Sequence, residues 1–99
     1  MAKLFITEFR QVQLIAGLTN PIPDVTNAID QTVSIGASSA QSAALNSATT
    51  VVRVHTDSVC SIVFGASPTA TTSNMRMAAG ESALFAVRPG SKIAVIANT

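Results

Sequence analysis

Short runs of β-branched and aromatic residues, each ended within about six residues by Gly, Pro or a polar cluster, recur along the chain. No stretch has the length or the 3.6-residue period of a long amphipathic helix. Gln31-Thr32-Val33-Ser34-Ile35-Gly36 alternates cleanly and predicts a strand facing a core through Val33 and Ile35. Thr50 to His55 is a second run, ended by Asp57-Ser58, and Val59 to Phe64 a third, ended by Gly65. So short a link between the last two predicts an antiparallel hairpin. Asn74 to Ala78, Ser82 to Val87 and Lys92 to Ala97 add three more strands. Arg88-Pro89-Gly90-Ser91 joins the last two; Pro presets the first central dihedral and Gly accepts the positive φ of a type II turn. Ala37 to Ala48 is small and polar, and reads as a surface crossing with a short helical turn at Gln41 to Leu45.

The first third of the chain is open to two readings. Lys3 to Ile15 fits a strand with Leu4 and Ile6 on one face and Phe5, Thr7 and Phe9 on the other. Asn20-Pro21-Ile22-Pro23-Asp24 is an extended break, because each proline fixes its own φ and pushes its predecessor out of the helical region. The segment before it is either the first strand of the body or an arm that pairs with a partner strand. In the arm reading Phe5 and Phe9 are the anchors, flanked by Lys3 and Arg10, and these four residues form the candidate protein interface. About eight short strands at near-regular spacing argue for one all-β domain over residues 1–99, an antiparallel β-sandwich with an extended N-terminal segment. The jelly roll is one eight-stranded form open to it, and residues 1–30 are the candidate arm and linker.

Composition narrows what such a domain does. The apolar share is 47%, but much of it is Ala, with four Phe and neither Trp nor Tyr to build a core. Thin cores of this kind are often completed by burial in an oligomer or a larger assembly. Charged residues make up 11% of the chain and the net charge is +1, against about a quarter charged in ordinary soluble domains. Such a surface offers little attraction to phosphates and little repulsion between copies, so protein is the expected partner and nucleic acid is not. No apolar stretch approaches the roughly 20 residues that span a bilayer, and Glu8 interrupts the N-terminal apolar run too early for a secretory signal. Synthesis in the cytoplasm without an export signal is expected, and no membrane partner.

Catalytic patterns are missing. The single histidine, His55, lies near a strand end and reads as a solvated turn residue, and its pairing with Cys60 or a serine as a nucleophile–base couple carries little weight. Cys60 keeps register with Ile62 and Phe64 and reads as a buried small hydrophobe. Asp24, Asp30, Asp57, Glu8 and Glu81 are scattered, with no metal or calcium-loop spacing. Gly17, Gly36, Gly65, Gly80 and Gly90 are isolated, so no phosphate loop forms. Arg53, Arg76 and Arg88 are not clustered into a basic stripe and suit the polar faces of a sandwich. Met75 and Met77 flank Arg76 on one face and are expected to fill the core, a contact surface being the less favoured reading. No enzyme activity, metal or cofactor is expected.

The stretch Phe64-Gly65-Ala66-Ser67-Pro68-Thr69-Ala70-Thr71-Thr72-Ser73, with Met75-Arg76-Met77-Ala78-Ala79-Gly80-Glu81, resembles small virion proteins of tailed bacteriophages. Phe85-Ala86-Val87-Arg88-Pro89-Gly90-Ser91-Lys92-Ile93-Ala94-Val95-Ile96 looks similar too, so the likeness spans about Ser47 to Ala97. It implies a virion protein of the head-decoration or cement type, bound to the major capsid protein or another virion protein. It also implies a homo-oligomer, with a trimer as the expected form. The rival expectation is a tail, collar or fibre component with a receptor- or glycan-binding role; the absence of Trp and Tyr for sugar stacking weighs against glycans.

Overall fold

The computed structural model describes residues 2–9, 12–14, 21–23 and 28–98. All regular structure among them is β, in ten strands. These are β1 (Lys3–Phe9), β2 (Val12–Leu14), β3 (Pro21–Pro23), β4 (Ile29–Ser34), β5 (Ala40–Gln41), β6 (Val51–Thr56), β7 (Cys60–Gly65), β8 (Met75–Met77), β9 (Ser82–Ala86) and β10 (Lys92–Ala97). Eight of them form two four-stranded antiparallel sheets, the first in the order β4-β1-β6-β9 and the second β5-β10-β7-β8. The sheets pack face to face as a β-sandwich. β2 and β3 pair with each other as a separate two-stranded ribbon, Gln13 opposite Ile22.

Period-two alternation builds the core. From the first sheet come Leu4 and Ile6, Val33, and Val52 and Val54; from the second come Cys60 and Ile62, Met77, and Ile93 and Val95. Ile35 and Leu45 complete the cluster from the connections. Phe64 and Phe85 meet across its margin with ring centroids 5.1 Å apart, and the paucity of other large side chains leaves the core mostly aliphatic. Each buried branched side chain contributes roughly 1.5–3 kcal/mol by leaving water.

β1 lies inside the first sheet, hydrogen-bonded to β4 on one edge (Leu4 opposite Val33) and to β6 on the other (Ile6 opposite Val54). A free arm therefore does not describe Lys3–Phe9. The expected hairpin of Val51–Thr56 with the following strand is also corrected. β6 pairs with β1 and β9, whereas β7 pairs with β10 and β8, so Asp57 to Val59 carries the chain from one sheet to the other. Thr56 shapes this crossing: its hydroxyl donates to the Ser58 carbonyl at 2.6 Å and accepts the Ser58 N–H at 3.3 Å. Because Val52 and Val54 face Cys60 and Ile62 across the core, the two strands meet through side chains and not through main-chain bonds.

Other connections change sheet too. The Arg88 to Ser91 turn has Gly90 at φ 81° and a Ser91 N–H to Arg88 carbonyl bond of 3.2 Å, as its sequence predicts, and joins β9 to β10. Gln41 to Leu45 is not helical; Ala40–Gln41 is β5, and Leu45 is buried because the chain there must close one end of the sandwich. Met77 is buried opposite Cys60, but Met75, farther along the short edge strand, is 51% exposed and lies outside the core.

Candidate interaction surface

The two outer faces of the sandwich differ. On the second sheet, Ser61 and Ala94 point away from the core by their alternation with Ile62 and Ile93, yet both are fully buried. The loop Ser67 to Asn74 accounts for this. Its Pro68 carbonyl accepts Gln41 Nε2 at 2.6 Å, and its Ala70 N–H donates to Ser39 Oγ at 2.8 Å. Asn98 Nδ2 donates both to the Thr72 carbonyl and to Ser61 Oγ, at 3.1 and 2.7 Å. Proline and the Asn74 side chain, which accepts the Thr71 N–H at 2.6 Å, hold the loop down without regular structure.

The outer face of the first sheet is covered at Phe9, at the end of β1, but among the described residues nothing comparable covers Phe5 or Leu84. Register places Thr32, Phe5, His55 and Ser82 in one cross-strand row, and Asp30, Thr7, Arg53 and Leu84 in the next. Phe5 is 39% and Leu84 53% exposed, so apolar and polar groups alternate over the same surface. Thr7 Oγ1 donates to Asp30 Oδ1 at 2.8 Å. Arg53 Nη2 donates to Ser82 Oγ at 3.1 Å, and Ser82 Oγ shares a 2.6 Å hydrogen bond with His55 Nδ1. The His55 ring stands 6.2 Å from that of Phe5 at 46°.

His55 is therefore half-buried within β6 and not a turn residue. Its partner is Ser82, across the strand pair; Cys60 lies on the other side of the core. A working nucleophile–base couple needs a group that orients the imidazole. Here the other recorded contact of His55, among the described residues, is the Phe5 ring. Cys60 is buried and donates to Thr56 Oγ1 at 3.4 Å. Burial pushes its thiol above the ordinary value; the Thr56 bond pulls the other way and the Glu81 charge adds to the rise. A protonated, covered thiol is a poor nucleophile.

Of the four residues expected to meet a partner, Lys3 is exposed at the start of β1, its main chain bonded to Asp57 in both directions. Phe5 is on the open face. Phe9 is 4% exposed and so is already covered, which removes it as an anchor. Arg10 lies outside the described residues. Spacing had not singled out Arg53, Ser82 and Leu84 as a set, because strand order, not sequence distance, brings β6 and β9 together.

Among the described residues no three His, Cys, Asp or Glu side chains come together as a metal site, and no helix is long and apolar enough to cross a membrane. Two clefts are lined by described residues, one of about 230 Å³ beside Glu8 and Gln31 and one of about 250 Å³ beside Phe64 and Arg88. Both fall below the roughly 300–1,000 Å³ usual for small-molecule sites. No protein family, curated protein or solved structure matches this chain.

Proposed function

We propose that this chain is a structural protein of a tailed-bacteriophage virion, a decoration or cement protein that stabilises the head shell by bridging capsid subunits. One observation carries most of the weight. The second sheet is closed by the chain's own loop, while among the described residues the first leaves a face of mixed chemistry open, with Phe5, Arg53, His55, Ser82 and Leu84 together. A flat face of alternating apolar and hydrogen-bonding groups suits a protein surface better than a small molecule. The resemblance of Ser47 to Ala97 to phage virion proteins supports the same reading.

Strand order adds support. Followed from β4 through β10 and then to β1, taken as the last strand, the order of the eight sandwich strands is compatible with a double Greek-key jelly roll. The break in that path, between β10 and β1, is narrow: both meet the segment after β4, where the Ala2 carbonyl accepts the Ile35 N–H and the Ala97 N–H donates to the Gly36 carbonyl. We read the fold as a circularly permuted jelly roll, an architecture used in capsid and lectin domains.

Gold-labelled antibody on purified virions tests the assignment. Label distributed over the heads is the expected result. Label confined to the tail, collar or fibres moves the protein to the rival role, and unlabelled virions reject a virion function altogether.

A further inference from the structure

Four strands form the edges of the two large sheets, and an unpaired edge is a template for another strand unless something blocks it. β4 carries the charge of Asp30 among its outward groups. β5 is two residues long, and β8 is three with Arg76 at its centre. Each of the three thus has a known protection: a charge, shortness or both. β9 has none. Ser82-Ala83-Leu84-Phe85-Ala86 runs five residues with no charge and no proline, and its pairing with β6 is continuous, without a bulge.

The hydrogen-bond alternation decides which groups of β9 are free. Thr56 N–H donates to the Glu81 carbonyl at 3.1 Å, so Ala83 and Phe85 turn their main-chain groups toward β6. Those of Ser82, Leu84 and Ala86 point out of the sheet. The same three residues are the exposed ones of the strand.

We propose that β9 is a docking edge for a second copy of this chain, whose own β9 pairs antiparallel to it about a two-fold axis at Leu84. The strand is complementary to itself in this register. Leu84 falls opposite Leu84, and Ser82 opposite Ala86 in both directions, each pair exchanging two main-chain bonds. No like charges are brought together along the seam, and the two Leu84 side chains meet on the open face. On the same flank β8 exposes Met75 at 51%, which extends the apolar contact into the second sheet. The product is a continuous eight-stranded sheet with β4 at both outer edges. An isologous pair of this kind closes at two copies, so it gives a dimer where the phage resemblance implies a trimer.

Sedimentation velocity over a concentration series tests this, alongside amide exchange at Ser82, Leu84 and Ala86. The expected result is a monomer–dimer equilibrium in which these three amides gain protection as concentration rises. Leu84→Lys sets two cations across the axis and raises the dissociation constant at least about tenfold. Leu84→Pro removes an outward N–H without touching the ladder to β6 and acts in the same direction. Melting curves establish that each variant folds. A monomer throughout, a trimer, or a dimer that survives Leu84→Lys with β9 unprotected overturns the proposal. Protection of β9 that appears in a monomer only when capsid is added also overturns it, and gives the edge to a capsid strand.

Discussion

Glu8 follows Leu4 and Ile6 on the inward side of β1, so period-two spacing carries a carboxylate into the end of the core, where it is 3% exposed. Neutral donors meet it: the Asn46 N–H and the Thr49 hydroxyl on Oε1, both at 2.8 Å, and Gln31 Nε2 on Oε2 at 3.2 Å. Gln31 in turn accepts the Ala43 N–H at 3.0 Å. Glu8 thereby ties the crossing of residues 42–50 to the first sheet. Glu8→Ala leaves these donors, the buried Thr49 hydroxyl among them, without their acceptor and should cost about 2–3 kcal/mol in urea denaturation. A loss below about 0.5 kcal/mol would mean that water replaces the carboxylate. Its parity with Leu4 and Ile6 was visible in the sequence; the donors, more than twenty residues away, were not. Cys60, by contrast, was legible as buried from its register with Ile62. Its raised thiol value makes a second prediction. Below the ordinary value both states keep the proton and the contribution to stability is complete. As pH climbs past about 9 the unfolded chain ionises first, and stability falls until the folded thiol also ionises. Cys60→Ala should flatten that alkaline decline in a pH series of melting curves, and a decline identical to wild type would discount the thiol.

At the scale of elements, strand positions were readable because alternation and breakers are local. Val33 and Ile35 face the core as the pattern of residues 31–36 requires, and Gly90 takes the positive φ that its turn demands. Strand partnership was less readable. A three-residue link serves a hairpin or a crossing between sheets equally well, and the choice at Asp57 to Val59 is made by whether Val52 and Val54 meet Cys60 and Ile62 through side chains. The short helical turn expected near Gln41 failed for a related reason: the end of the sandwich needed Leu45 as a plug. β1 is the element with most at stake, since it supplies main-chain bonds to two neighbours and Leu4 and Ile6 to the core. Deleting residues 2–12 should abolish the cooperative unfolding transition seen by circular dichroism. A truncated chain that still melts cooperatively would restore the arm reading of this segment.

Across the whole molecule, sparse charge and a thin aliphatic core are reconciled by division of labour between the two sheets. One is closed by a loop of the same chain, pinned at Ser39, Gln41 and Asn98. The other keeps, among the described residues, an open face around Phe5 and Arg53 and an unguarded edge at β9. The face was hidden in the sequence because its residues come from four strands spread between Phe5 and Leu84, and their rows exist once the strand order is set. Face and edge share Ser82 and Leu84, so a copy docked through β9 takes that margin and leaves the rows around Phe5 and Arg53 free for a shell.

The central claim is that this open face binds a phage head. Co-sedimentation of the purified protein with heads assembled without it tests that claim most directly, using wild type and the double variant Phe5→Ser, Arg53→Glu. Saturable binding at a fixed number of copies per head, weakened at least about tenfold in the variant, is the result predicted. Absence of binding at any ratio, or saturable binding that the variant leaves unchanged, would contradict it.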